Sequence, residues 1–278
     1  MASCSTRFEF NCKTLENDLV NIKKLGEGAF GKVYQMKYLS NGKVVAVKGT
    51  VDLDSGRREW EIGCMLGNLS QETPCFIKYF SSFECPIASQ SWSFANVMGR
   101  DRVLFIEMEA ADGTVKDLLG LDTLMVEDMI SFVSEILIAV YIGRLELGFL
   151  HNDIGQENIL FSIGGGKRTY QIGGRSVVCG SKYVPKLSDF GQSVTRDVFE
   201  KKLLDKPYNE LQTIFSEIVE PMAGVVLVET DEEGEELGDR LGQIVDLIDL
   251  HVENGGEGYG QVEDLDVIGE IVGILQGL

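Results

Sequence analysis

Between residues 19 and 51, apolar and β-branched residues come in short runs broken by Gly26, Gly28, Gly31 and the Asn41-Gly42 pair, a pattern that predicts strands joined by tight turns. From Ser55 to Leu69 the period lengthens. Trp60, Ile62, Met65, Leu66 and Leu69 recur near a helical spacing with acids and arginines between them, so one helix interrupts the sheet. Strand-like runs return at 76–83 and 103–108, on either side of the polar stretch Ser89 to Arg102, which reads as a loose surface excursion. Residues 126–147 are helical, with Met129, Ile130, Val133, Ile136, Leu137, Val140 and Tyr141 forming a broad apolar face. Residues 155–187 then alternate short β-like pieces with Gly164-Gly165-Gly166 and Gly173-Gly174, as hairpins do. The order is sheet, helix, small hairpins, with no repeat of solenoid or propeller length.

At 278 residues with 44% apolar content, the chain is long enough for about two domains with buried cores. The net charge of -19 is uneven: residues 221–278 hold 15 acidic side chains and one arginine, so the first 220 carry only -5. That balance repels phosphate backbones, excludes nucleic-acid binding as the main activity, and attracts a basic protein partner. The six cysteines show no metal-ligand spacing and read as reduced thiols inside a cell. The first ten residues lack the basic and apolar regions of a secretory signal. The longest apolar stretch, Phe132 to Ile142, is interrupted by Ser134 and Glu135 and falls short of the ~20 residues that cross a bilayer. An intracellular protein, cytoplasmic or nuclear, is expected, without a membrane partner.

Leu25-Gly26-Glu27-Gly28-Ala29-Phe30-Gly31 spaces three glycines so that backbone N–H groups can approach phosphate oxygens unobstructed by Cβ. The stretch lies between two strand-like runs instead of leading into a helix. That favours a flap over a nucleotide, with an ordinary glycine-rich hairpin as the alternative. Lys48 ends the run Val44-Val45-Ala46-Val47, which otherwise suits a buried strand, so its cation needs an anionic partner. The helix that follows offers Glu59 and Glu61, which cannot share one face. Glu61, flanked by Ile62 and Met65, is the better candidate, with a solvated surface glutamate as the alternative. Further on stand His151-Asn152-Asp153-Ile154-Gly155-Gln156-Glu157-Asn158-Ile159-Leu160 and Lys186-Leu187-Ser188-Asp189-Phe190-Gly191.

In this order, the glycine-rich loop, the Ala-x-Lys strand, the helix glutamate, the His-x-Asp-x-x-x-x-Asn loop and Asp-Phe-Gly make the chain resemble a eukaryotic-type protein kinase. The resemblance implies a two-lobed α+β fold. A β-rich lobe would occupy residues 15–110 after an extension over 1–14. A compact, mainly helical lobe with a shortened activation segment would occupy 111–278, including a long hairpin over 161–188 and an acidic region from about 221. The implied ligands are ATP and Mg²⁺. Lys48 would hold the α- and β-phosphates, oriented by Glu61, with Gly26, Gly28 and Gly31 above them. Asn158 and Asp189 would ligate the metal, Asp153 would accept the proton of the attacking hydroxyl, and His151 would be structural. Val33 and Ala46 would lie on one side of the adenine and Leu160 on the other. Glu109 and Ala111 would pair with its edge, and Met108 would guard the rear pocket.

The pattern also departs from the family. Gly155 stands where most Ser/Thr kinases have a lysine that meets the transferred phosphate, and Asn152 where many regulated kinases have arginine. Asn158 and Asp189 are 31 residues apart, an extended hairpin similar to that of haspin-like kinases and of divergent kinases in large DNA viruses. No Ala-Pro-Glu follows Gly191, so the peptide platform is altered, and Pro207-Tyr208-Asn209-Glu210-Leu211 opens the central helix where the family usually has aspartate. The acidic run Asp231 to Glu236 reads as a solvated loop before a packed helix. Transfer to Ser or Thr of a basic protein is the expected activity. The rival readings are a pseudokinase acting as a scaffold, and an aminoglycoside-type small-molecule phosphotransferase, which shares the His-x-Asp-x-x-x-x-Asn loop.

Overall fold

A computed structural model describes residues 12–28, 31–86, 101–121, 124–172, 174–198, 210–226, 232–253 and 262–277. The chain divides into two compact units, Met1–Asn68 with Ile77–Ala111, and Leu69–Phe76 with Asp112–Leu278. The first is β-rich and the second mainly helical, the α+β arrangement expected from the sequence.

The N-terminal unit is built on an antiparallel sheet of β1 (Leu19–Glu27), β2 (Gly31–Tyr38), β3 (Val44–Thr50), β4 (Tyr79–Pro86) and β5 (Arg102–Glu109), in the order β1-β2-β3-β5-β4. The Asn41-Gly42 turn joins β2 to β3: Gly42 takes φ 73°, a conformation that an L side chain resists, and Asn41 Oδ1 accepts the Lys43 N–H at 2.8 Å. Helix α1 (Cys12–Asn17) precedes the sheet, and α2 (Leu53–Gly67) begins where Asp52 Oδ1 accepts the Ser55 N–H at 3.2 Å and satisfies an orphan donor of the first turn. Leu15, Leu19, Met36, Val45, Val47, Val103 and Phe105 form one buried cluster. Within it a disulfide joins Cys12 to Cys85 and fastens α1 to β4. This corrects the expectation of six reduced thiols: spacing along the chain said nothing about a pair brought together by the sheet. Cys75 and Cys179 are free thiols, each pushed up to about 12 chiefly by burial, which keeps them unreactive. The surface excursion expected from Ser89 to Arg102 lies mostly outside the described residues.

The C-terminal unit opens with β6 (Gly113–Thr114), α3 (Val115–Leu119) and the long α4 (Val126–Leu147), whose end is set by Gly148 in the left-handed conformation. The extended hairpin follows. Its outer strands β7 (Ile159–Ile163) and β10 (Tyr183–Leu187) pair directly, while β8 (Arg168–Ile172) and β9 (Arg175–Cys179) form a separate two-stranded ribbon between them. The ribbon is held to α4 through Glu135, a fully buried carboxylate that accepts hydrogen bonds from Arg168 and, at 2.8 Å, from the Tyr170 hydroxyl.

Helix α5 (Glu210–Ile214), a π-helical turn Phe215–Val219 and α6 (Glu220–Val226) come next, followed by α7 (Glu232–Glu253) and α8 (Val262–Gln276). The acidic run is helical from Glu232 onward, so the solvated loop expected there is corrected for those residues. The sequence reading missed α8, although Ile268, Ile271, Val272 and Leu275 have helical spacing. These residues are buried, and α8 packs on α4, where Gln276 Nε2 donates to Ser134 Oγ at 2.9 Å.

Removing the Glu135 carboxylate strands a guanidinium and a phenol under the ribbon. Glu135→Ala is expected to cost about 3–5 kcal/mol in urea unfolding, the range for breaking a buried ion pair from one side. An unchanged midpoint would show that the ribbon does not depend on this anchor.

Candidate active site

In the N-terminal unit, Lys48 lies near the end of β3, and its ammonium is 2.7 Å from Glu59 Oε2; the glutamate side chain is 2% exposed. Glu59 therefore corrects the expected partner, Glu61, which is exposed. The cause is helical geometry. Glu59, Ile62, Gly63 and Leu66 follow the i, i+3, i+4, i+7 pattern and are all buried on one face of α2. Ile62 is adjacent to Glu61 in sequence but turned about 100° from it around the helix. Counting from Glu59 would have identified the right carboxylate.

The three loop glycines do not serve one purpose. A Cβ on Gly31 would collide with the Gly49 carbonyl oxygen, so that glycine permits the close approach of β2 to β3. Around Gly26 and Gly28 a Cβ would meet nothing within 4 Å, and the Gly28 N–H donates to the Gly31 carbonyl at 2.9 Å. Val33 is the register partner of Lys48, and Ala46 that of Met108, with Ala46 and Met108 buried. At the end of β5 the Glu109 N–H is bonded to the Lys78 carbonyl at 2.8 Å, and Ala111 is half-buried just beyond it. The Glu109 N–H is thus already engaged within the unit.

In the C-terminal unit, His151 is fully buried and tied in three ways. Its N–H donates to Glu210 Oε1 at 2.7 Å, its Nε2 lies 3.0 Å from the Ser188 carbonyl, and its own carbonyl accepts the Ser193 hydroxyl at 2.9 Å. Facing a carbonyl, Nε2 must carry the ring proton. Burial pushes the imidazole below its ordinary value, so the ring is neutral and structural. Glu210, at the start of α5, also accepts from Arg144 at 2.8 Å. The sequence reading noted Glu210 only by position; its burial beside a chain amide emerges from the fold.

Asp153 is exposed, and its carboxylate is oriented by Asn158, whose Nδ2 donates to the Asp153 carbonyl at 2.8 Å and to Oδ2 at 3.1 Å. The Asn158 carbonyl accepts from both the N–H and the hydroxyl of Ser188, which precedes Asp189. Asn152 and Asp189 occupy the left-handed region at φ 60° and 61°, unfavourable for non-glycine residues and found where the surroundings over-determine the backbone. For Asp189 those surroundings include the buried Phe190 ring, edge-on to Phe76, Phe149 and His151. Leu160 is half-buried on β7, and a Cβ on Gly155 would meet nothing within 4 Å.

A buried neutral histidine must take up a proton on unfolding in acid, so the unfolded chain binds more protons below its ordinary pKa of about 6.5. Stability should accordingly be full above that value and fall as pH drops through it towards the lowered folded value. Denaturant midpoints between about pH 5 and 7.5 check this. The acid limb should shrink in His151→Phe, and a limb of unchanged size would assign the protons elsewhere.

The family model described as "Protein kinase domain" matches residues 19–204, well over half of the chain. The chain is 28% identical over 142 residues to "Serine/threonine-protein kinase dst1" of Dictyostelium discoideum, covering 50% of this chain and 17% of that protein. It is 29% identical over 155 residues to "Serine/threonine-protein kinase 4 homolog A" of the same organism, covering 55% and 30%. To "Serine/threonine-protein kinase CBK1" of Pneumocystis carinii it is 26% identical over 180 residues, covering 64% and 29%. The chain spans less than a third of the length of each of these relatives. The matched span takes in the lysine strand, the His-x-Asp loop and Asp-Phe-Gly, and by that match the chain belongs to the protein kinase family.

Proposed function

We propose that the chain transfers the γ-phosphate of ATP to serine or threonine hydroxyls of protein substrates. The observation that carries this reading is the Lys48–Glu59 pair: a lysine held at 2.7 Å by a buried carboxylate is a cation kept in place for an anionic ligand. Phosphoryl transfer asks mainly for positioning and charge neutralisation, with little covalent work by the protein. Lys48 holds the α- and β-phosphates, and the open backbone around Gly26 and Gly28 covers them. Val33, Ala46 and Leu160 contact the adenine faces. Because the Glu109 N–H is engaged by Lys78, the adenine edge pairs with the Glu109 carbonyl and the Ala111 backbone.

The residues fit Mg²⁺, which supplies charge neutralisation at the phosphates when bound. Asn158 spends its Nδ2 on Asp153, which leaves its amide oxygen as a hard donor that, with the carboxylate of Asp189, would hold the ion. Among the described residues no group of three His, Cys, Asp or Glu side chains that could hold a metal ion occurs. Asp153, exposed and oriented by Asn158, accepts the proton of the attacking hydroxyl. The acidic charge favours a basic protein substrate, and the Ser/Thr kinase relatives favour such a protein over a small alcohol. Among the described residues no helix is long and apolar enough to cross a membrane, and the Cys12–Cys85 disulfide removes the reduced-thiol ground for placing the protein in cytoplasm or nucleus.

Gly155 favours a second reading, a nucleotide-binding scaffold without turnover, since it lacks the cation expected near the transferred phosphate. The test is transfer of label from [γ-³²P]ATP with Mg²⁺ to a basic protein such as histone. The native chain should transfer, Asp153→Asn should be slower by about 10²-fold or more, and Gly155→Lys, whose side chain has room, should raise kcat by about tenfold. Nucleotide binding without transfer by any of the three would replace the kinase reading with the scaffold.

A further inference from the structure

Both oxygens of the Glu59 carboxylate are committed. Lys48 takes Oε2, and the Tyr79 hydroxyl donates to Oε1 at 3.1 Å in a buried contact. Tyr79 is the first residue of β4 and is 6% exposed. Its ring lies against Gly63, one helical turn beyond Glu59: a Cβ there would come within 2.5 to 2.8 Å of ring carbons Cδ2, Cε2 and Cγ. Trp60 meets the same ring edge-on at 6.3 Å. The glycine is therefore needed for the tyrosine, and the tyrosine ends on the carboxylate. Across the sheet its register partner is Met108.

We propose that Tyr79 is a positioning residue for phosphoryl transfer, seated in the space left by Gly63 so that its hydroxyl fixes the Glu59 carboxylate on Lys48. This deepens the kinase reading and rests on it. A buried carboxylate with one lone ion-pair partner can rotate about its terminal torsion, which is broad. A second, charge-assisted hydrogen bond from a rigid ring removes that freedom and holds the lysine where its ligand needs it. Tyr79→Phe removes the hydroxyl and keeps the ring. Tyr79→Ala with Gly63→Leu refills the apolar space from the helix side, without a hydroxyl.

Two readouts separate this role from plain packing. In steady-state transfer, Tyr79→Phe should raise KM for ATP about three- to tenfold with a smaller change in kcat, the size of one ordinary hydrogen bond, because the hydroxyl acts on the ligand only through Glu59 and Lys48. The second readout needs no nucleotide. The rate at which an amine-acylating reagent modifies Lys48, followed by mass spectrometry, should rise severalfold in Tyr79→Phe, because the ammonium leaves its carboxylate more often. The double variant should keep a near-native melting temperature yet show the same two changes. Native values of both readouts in Tyr79→Phe, or in the double variant, would overturn the proposal and leave Tyr79 as core packing. Should the native chain neither bind nor turn over Mg-ATP, the kinase reading fails by itself, and the Lys48 acylation rates still decide whether Tyr79 holds the pair.

Discussion

A lysine near the end of an apolar strand is the constraint around which the N-terminal unit is organised. Lys48 follows Val45, Ala46 and Val47, all buried, and its ammonium has to be neutralised. Glu59 does so from a helix that the sheet alone would not position, and the requirement propagates outward. Helix α2 must present Glu59, Ile62, Gly63 and Leu66 on one face, Gly63 must lack a side chain, and Tyr79 must reach across to the carboxylate. Removing either charge would strand the other, which makes the pair more restrictive than its net contribution to stability suggests.

The C-terminal unit meets a comparable demand with backbone. Two non-glycine residues, Asn152 and Asp189, are held at positive φ: Asn152 donates to the Gln192 carbonyl and follows His151, which is tied to Ser188, Ser193 and Glu210, while Asp189 precedes the packed Phe190 ring. Glu210 connects α5 to the amide of His151 and to Arg144, so the loop bearing Asp153 is referred to the helical body. Asp153 itself stays exposed. Its orientation comes from Asn158, five residues on, which leaves the carboxylate open to solvent and to a hydroxyl.

Much of this was legible in sequence because it is local. The helix at 126–147, the Asn41-Gly42 turn and the long hairpin follow from periodicity and turn chemistry acting over a few residues. What escaped depends on facing. Glu61 has its apolar neighbours along the chain, whereas Glu59 has them around the helix, and only the latter decide which carboxylate is buried. The Cys12–Cys85 pair, 73 residues apart, and the Glu135 anchor for Arg168 and Tyr170 are contacts across the sheet or between elements, with no signature in spacing. Helix α8 escaped for a different reason: its apolar period is present but was obscured by the acidic character of the region around it.

The central claim is that Glu59 positions Lys48 for a nucleotide phosphate. The most direct measurement is the affinity of Mg-ATP for Glu59→Gln and Glu61→Gln beside the native chain, by titration calorimetry. The account predicts that Glu59→Gln weakens binding by about tenfold or more, from loss of a charge-assisted contact, while Glu61→Gln binds as the native chain does. Equal affinities in all three, or a loss confined to Glu61→Gln, would contradict it.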